Sequence, residues 1–134
     1  MASIGLLAIR LVIGLTFAGH GTQKAFGWFG GGGLKATGGF FESLGLKPGK
    51  LFAALASAGE ILSGLFFAIG FLTPLAAAAM TVIMLVAIWT VTGKNGYWIT
   101  RNGTEYNIAI IVVAVGVALA GPGAFSVDAL IRLY

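Results

Sequence analysis

Residues 51–92 read LFAALASAGEILSGLFFAIGFLTPLAAAAMTVIMLVAIWTVT, and this stretch decides the fold. Its single charge is Glu60, and residues 61–93 carry none. A membrane-spanning helix needs about 20 predominantly apolar residues. The run is therefore too long for one span and long enough for the rest of one helix plus a second. Thr73-Pro74 divides it. Proline is accepted in the first helical turn and biases the residue before it away from helix, so residues 70–73 read as a tight hairpin. Two antiparallel spans follow, over about 51–71 and 74–92.

Working outward, an apolar stretch over about 4–25 precedes this pair, interrupted by Arg10, and a second over about 105–121 follows it. The start of the chain lacks the positive segment and cleavage pattern of a signal peptide, so the first stretch is expected to be retained as a helix. The expectation is an all-α integral membrane four-helix bundle, one transmembrane domain over 1–134, with a Gly-rich loop between helices one and two. Tyr97, Trp98, Trp28 and Tyr134 fall at or beyond the expected helix ends, where amphipathic rings favour the headgroup level. Small residues recur at helical spacing, as in Gly14 with Ala18 and Gly59 with Ser63. In lipid such faces permit the close backbone approach that holds a bundle together. A weak internal echo matches Arg10, Gly14, Leu15, Phe17 and Ala18 to Glu60, Gly64, Leu65, Phe67 and Ala68.

The composition agrees. Of 134 residues, 58% are hydrophobic and 9% charged, with mean hydropathy +0.99, whereas soluble domains carry about a quarter charged residues. Disorder is excluded by the same numbers. The net charge of +4 reports loop orientation and contact with anionic lipid. No basic run with interleaved aromatics points to nucleic acid. Basic residues gather after helices one and three, at Lys24, Lys35, Lys47, Lys50, Lys94 and Arg101, which places those loops in the cytoplasm by the positive-inside rule.

The chain has no cysteine and one histidine, His20. It supplies no disulfide, thiolate metal site, iron-sulfur cluster or bis-histidine haem of its own. Gly30 to Gly33 is not followed by a Gly-Lys-Ser/Thr pattern, so no nucleotide site is expected. Redox chemistry would come from a bound organic cofactor or a partner.

An ionisable residue inside a span costs about 2.5–3.5 kcal/mol and calls for a partner or a use. Glu60 lies too deep in its helix to reach either surface. Arg10, Gly14, Phe17, Gly21 and Lys24 share one stripe of helix one at 3.6-residue spacing. Glu60 could pair with Arg10 or, less directly, with His20, and Glu105 begins the last helix level with His20 and Lys24. The spacing suggests one polar seam, Arg10, Glu60, His20, Lys24 and Glu105, with the Gly-rich loop folded over its mouth. The plainer alternative is an Arg10–Glu60 pair that only fixes helix register.

Arg10 with Gly14, His20-Gly21 and Lys24, the Phe26-Gly27 to Gly33 stretch, Glu60 with Gly64, Gly70 and Thr73, Asn102-Gly103-Thr104-Glu105-Tyr106, and Gly121-Pro122-Gly123 with Ser126 and Asp128 together resemble the DoxX family. The resemblance covers nearly the whole chain, in order. It implies a small multi-pass protein of the bacterial cytoplasmic membrane, associated with quinone-linked or other redox complexes. On that resemblance, a quinone headgroup would draw donors from Arg10, His20, Lys24 and Trp98 and a proton path from Glu60 and Glu105. Phe17, Phe66, Phe67 and Trp89 would wall the ring and tail. The expected role is a quinone-binding subunit, or one supporting a redox partner within a larger membrane complex. The alternatives are a structural or assembly subunit without its own activity and, less favoured, a small transporter or proton channel.

Overall fold

The computed structural model describes residues 1–132, so Tyr134 lies outside the described residues. Six α-helices follow one another: α1 (Ala2–Phe26), α2 (Gly33–Ser43), α3 (Gly49–Ile69), α4 (Thr73–Ala87), α5 (Glu105–Ala120) and α6 (Val127–Ile131). A π-helical turn, Ile88–Thr92, and a 3-10 turn extend α4 into the loop that precedes α5. Among the described residues three helices are long and apolar enough to cross a membrane: Ala2–Phe26, Gly49–Ile69 and Thr73–Asn95. The fourth apolar helix, Glu105–Ala120, is shorter, at 16 residues. The architecture is an all-α membrane bundle with several spans.

The four expected helices are present within a few residues of their expected ends, and two further helices accompany them. The Gly-rich stretch is not simply a loop, because α2 forms within it. Three of α2's eleven residues are glycine, each of which disfavours helix by about 1 kcal/mol relative to alanine. Packing outweighs that propensity. A Cβ on Gly49 would fall 2.0 Å from the Gly38 carbonyl oxygen, so the two glycines let α2 lie directly on the start of α3.

Packing is closest between α1 and α3. A Cβ on Gly14 would meet the Gly64 carbonyl oxygen at 2.6 Å and the Ala68 nitrogen at 2.7 Å, and one on Gly64 would meet the Ala18 nitrogen at 2.6 Å. The two echoing segments of sequence are thus packed on one another, antiparallel and backbone to backbone. Helices in lipid gain little from excluding water between them, so this small-residue contact supplies the van der Waals attraction that holds them. Phe17 and Phe67 complete the interior with Met80 and Met84 of α4 and Ile110, Ala114 and Val117 of α5. Leucines and valines such as Leu62, Leu75, Val112 and Leu119 face outward, as lipid contact requires.

The α3–α4 hairpin occurs where the sequence places it. Gly70 ends α3 at φ 71°, a left-handed conformation that glycine adopts without steric penalty. A Cβ there would also meet the Ser126 side chain at 2.5 Å.

Gly64→Leu should lower the thermal midpoint of the purified protein and its folded yield, because the obstacle is backbone that cannot give way. Overpacking costs about 1–3 kcal/mol, and this site should reach the upper end. Gly116→Ala adds a Cβ with nothing within 4 Å and should lower neither, the gain of about 1 kcal/mol in helix propensity raising the midpoint if anything. Size-exclusion profiles over a temperature series measure both, and equal behaviour of the two variants would refute the packing argument.

Candidate functional site

The polar residues divide between the two ends of the bundle. Arg10 and Lys24 lie on one stripe of α1 but roughly 21 Å apart along it, at 1.5 Å per residue. The Gly14–Gly64 contact fixes which part of α3 each one meets.

At the hairpin end, Arg10 is buried and donates to the Pro122 carbonyl, to the Phe125 carbonyl at 2.7 Å and to the Ala68 carbonyl at 3.4 Å. Asp128 acts on it electrostatically. The Asp128 carboxylate accepts from the Leu72 amide at 2.7 Å, the Thr73 amide at 2.9 Å and the Thr73 hydroxyl at 2.7 Å, while its own amide donates to the Gly70 carbonyl at 2.8 Å. The segment that carries Asp128 is shaped locally by Ser126, whose hydroxyl oxygen accepts from the Ala129 amide and caps α6. Asp128 therefore supplies acceptors to otherwise free amides at the start of α4, and Arg10 ties the tail to α1. Sequence reasoning placed Arg10 in a seam with Glu60. The antiparallel register instead sends it to the hairpin, and the expected Arg10–Glu60 pair does not form.

At the other end, Lys24 donates to Glu60 Oε1 in an ion pair. Side chains on a helix lean toward its N-terminus, so Lys24, near the end of α1, reaches back to the level of Glu60. Glu60 is 2% exposed and roughly 14 Å along α3 from Ile69. Its second oxygen, Oε2, is buried without a hydrogen-bond partner among the described residues, as is the Tyr106 hydroxyl.

Lys24 and Glu60 lie on the wall of a cleft of about 710 Å³ between α2, α3 and α4. Phe40, Phe41, Phe52, Leu55, Val82 and Val86 give it apolar sides, and Thr37, Thr90, Thr92 and Asn102 add hydroxyls and an amide. Leu55, Val82 and Val86 are each about half exposed or more, so the cleft opens sideways, where acyl chains would lie. The Thr37 hydroxyl donates to the Lys24 carbonyl at 3.3 Å and ties α2 to α1 beside it.

Of the six residues singled out from sequence, Lys24 and Glu60 meet in this cleft and four do not. His20 packs its ring on Tyr106 at 5.2 Å, and its Nδ1 faces Gln23 Oε1 at 3.0 Å. Glu105 accepts from the Ile99 amide at 3.1 Å and orders the turn before α5. Trp98 is 64% exposed and stacks edge-on against Tyr97. Arg10 belongs to the hairpin. The expected aromatic walls also differ. Phe17 and Phe67 fill the core, Phe66 packs on Phe71, and Trp89 is 84% exposed. The cleft's aromatics are Phe40 and Phe41 of α2, within the stretch expected to be a loop, and Phe52 near the start of α3, where a helix is expected. Tyr106 and Asp128 were not singled out as site residues, although each is a polar group beside an otherwise apolar run.

No group of three or more His, Cys, Asp or Glu side chains that could hold a metal ion occurs among the described residues. The DoxX sequence profile matches residues 5–93, which include Arg10, Lys24, Glu60 and most of the cleft. The chain belongs to the DoxX family. It is 28% identical to an uncharacterized membrane protein of Mycobacterium tuberculosis, over 92% of this chain and 78% of that one. It is 24% identical to an uncharacterized protein of Haemophilus influenzae, over 98% and 85%. It is 26% identical to CatD of Bacillus subtilis, whose name assigns it provisionally to the oxidoreductases, over 93% and 85%. No solved structure matches the chain at a significant level. With its DoxX membership and apolar helices, it is a multi-pass protein of the bacterial inner membrane.

A double-mutant cycle separates the two ends of this DoxX protein. Lys24→Met and Glu60→Gln should couple by more than about 1 kcal/mol, whereas Arg10→Met and Glu60→Gln should be additive within about 0.5 kcal/mol, as residues without shared partners are. Unfolding titrations in mixed detergent micelles read both cycles. Strong coupling between Arg10 and Glu60 would contradict the placement.

Proposed function

We propose that this DoxX protein is a quinone-binding subunit of a redox complex in the bacterial inner membrane, and that the cleft between α2, α3 and α4 is its binding site. The observation that carries this reading is the Lys24–Glu60 pair on the wall of an apolar cleft that opens sideways. A ligand site in a membrane protein combines apolar walls with a few placed polar groups. Lys24 offers an ammonium donor to a carbonyl oxygen, and the Glu60 carboxylate on the cleft wall holds that ammonium in place. The cleft volume of about 710 Å³ lies within the roughly 300–1,000 Å³ range of small-molecule sites. A bound quinone supplies two-electron carrier chemistry that this side-chain set lacks, since the chain has no cysteine and one histidine. Electrons then pass to or from a partner protein. The name of the Bacillus subtilis relative, CatD, is consistent with a redox setting.

In the same reading α5 makes a fourth crossing, so that α1, α3, α4 and α5 form a four-helix transmembrane bundle. Its 16 residues extend about 24 Å, and the uncharged chain on to α6 covers the remaining depth. The basic residues Lys35, Lys47, Lys50, Lys94 and Arg101 lie on the side that carries α2 and the loop before α5. The positive-inside rule makes that side cytoplasmic. The cleft's polar end then faces the cytoplasm.

A second reading has its own observation in support. The Arg10–Asp128 assembly joins α1, the hairpin and the tail and has no access to the cleft. A protein whose charges all served its own bundle would be an assembly subunit.

Val82→Trp fills the cleft without touching either charge. Protein purified in mild detergent from quinone-containing membranes should carry quinone, and Val82→Trp should carry at least tenfold less at unchanged folded yield. Glu60→Gln should also weaken retention. Val112→Trp, on an outward face of α5, should retain it. Liquid chromatography of extracted lipids measures all four. Wild-type protein without quinone, or equal content in Val82→Trp, would overturn the reading and leave the assembly role.

A further inference from the structure

Behind the cleft, on the side of Glu60 toward α5, lies a second set of polar groups that neither the fold nor the proposed site has used. The Tyr106 hydroxyl is buried and lacks a hydrogen-bond partner among the described residues, and Glu60 acts on it electrostatically. The Tyr106 ring packs on His20 with centroids 5.2 Å apart. His20, together with Gly19, Gln23, Thr16 and Phe29, lines a shallow, open groove of about 340 Å³ on the face of α1 away from its buried stripe. Glu60 thus lines the apolar cleft and His20 lines the groove, with the Tyr106 ring packed on His20.

We infer that Glu60, Tyr106 and His20 form a proton path that connects the cleft to the groove on the outer face of α1. An unpartnered buried polar atom is costly, at about 1–3 kcal/mol, and both such groups flank one turn of α1: a Cβ on Gly21 would fall 3.0 Å from the Glu60 Cβ, and the adjacent His20 carries the Tyr106 ring. A bridging water is the ordinary partner of such groups. His20 is prepared for its role by Gln23. The Gln23 side-chain nitrogen donates to the Phe29 carbonyl at 3.2 Å, which turns its oxygen toward His20 Nδ1. Nδ1 must then carry the hydrogen, so Nε2 of the neutral ring is the basic nitrogen.

Toward a quinol in the cleft, the Glu60 carboxylate takes a proton by way of Lys24, whose ammonium gives a hydrogen to Glu60 as the quinol hydroxyl proton replaces it and the bonding pair stays on the quinol oxygen. Glu60 hands the proton through a bridging water to the Tyr106 oxygen, while the Tyr106 hydrogen passes, again through water, to His20 Nε2, since the hydroxyl touches neither group directly. His20 releases it at the groove, and in the reverse direction the same groups deliver a proton to the cleft. The step toward quinol rests on the proposed function, whereas the exchange of protons between Glu60 and the groove does not. Lys24 faces Glu60 from α1, and no other charged side chain is paired with it among the described residues.

The test reads Glu60 itself. Protein in lipid nanodiscs is given a proton jump from a photolysed caged acid, and time-resolved infrared spectroscopy follows the protonated carboxyl band that Glu60→Gln removes. Tyr106→Phe keeps the ring and loses the hydroxyl, and His20→Gln loses the titrating nitrogen. Each should slow the rise of the Glu60 band at least tenfold, while binding of a short-tailed ubiquinone analogue stays within twofold of wild type. Wild-type rates in both variants would overturn the path. So would the absence of any Glu60 protonation band at every pH where the protein stays folded. Wild-type protein that exchanges protons by this route but binds no quinone analogue would uphold the path and refute the quinone reading.

Discussion

Gly14 of α1 and Gly64 of α3 approach so closely that any side chain at either position would strike backbone. That contact sets the antiparallel register of the two longest helices, and the positions of the charges follow from it. Gly21 then lies against Ser57 and Glu60. Lys24, one turn further on, leans back onto the Glu60 carboxylate. In the other direction Arg10, one turn before Gly14, arrives at the end of α3, where its guanidinium reaches the carbonyls of Ala68 and Phe125. A shift of one helical turn, about 5.4 Å, would take Lys24 off Glu60 and leave a bare carboxylate in hydrocarbon. The cost of that charge reinforces the register that the glycines set.

The two ends are satisfied to different degrees, and the difference separates structure from function. At the hairpin, both Asp128 oxygens and both terminal nitrogens of Arg10 have partners, and of the side-chain polar atoms there only Arg10 Nε is buried without one among the described residues. A network so nearly complete rigidifies what it touches. At the cleft end, Lys24 satisfies one oxygen of Glu60 and the other is unpartnered, as is the Tyr106 hydroxyl nearby. Incomplete satisfaction in a buried place is destabilising unless a ligand or water completes it. The hairpin end therefore accounts for stability, and the cleft end is where a ligand or a proton has something to gain.

The spans were legible because uncharged length and Thr73-Pro74 are direct consequences of the bilayer's thickness and of proline's geometry. The stripe through Arg10, Gly14, Phe17 and Gly21 was equally legible, since helical periodicity alone puts those residues on one face, and all four are buried. The partner of each charge was not. Depth along a helix cannot reveal register, so Arg10 and His20 stood as the candidate partners of Glu60, and Lys24 takes that place only because the glycine contact fixes the pairing. Helix α2 was hidden by its own glycines, which read as flexibility and serve instead for close contact with α3. That helix carries Phe40 and Phe41, so the cleft's aromatic wall was illegible for the same reason. Tyr106 and Asp128 stood in view as the polar residues beside apolar runs, yet only tertiary packing shows what they face.

The central claim is that the cleft beside Lys24 and Glu60 receives a quinone from the bilayer. Photoaffinity labelling with an azido-quinone, followed by mass spectrometry of the labelled peptides, locates bound quinone without reference to any partner or activity. The account predicts saturable attachment within α2, the first half of α3 and the last turns of α4, among residues such as Phe41, Phe52 and Val86, that excess unlabelled quinone suppresses. Attachment spread over the outward faces of α1 and α5, or labelling that excess quinone leaves unchanged, would contradict it.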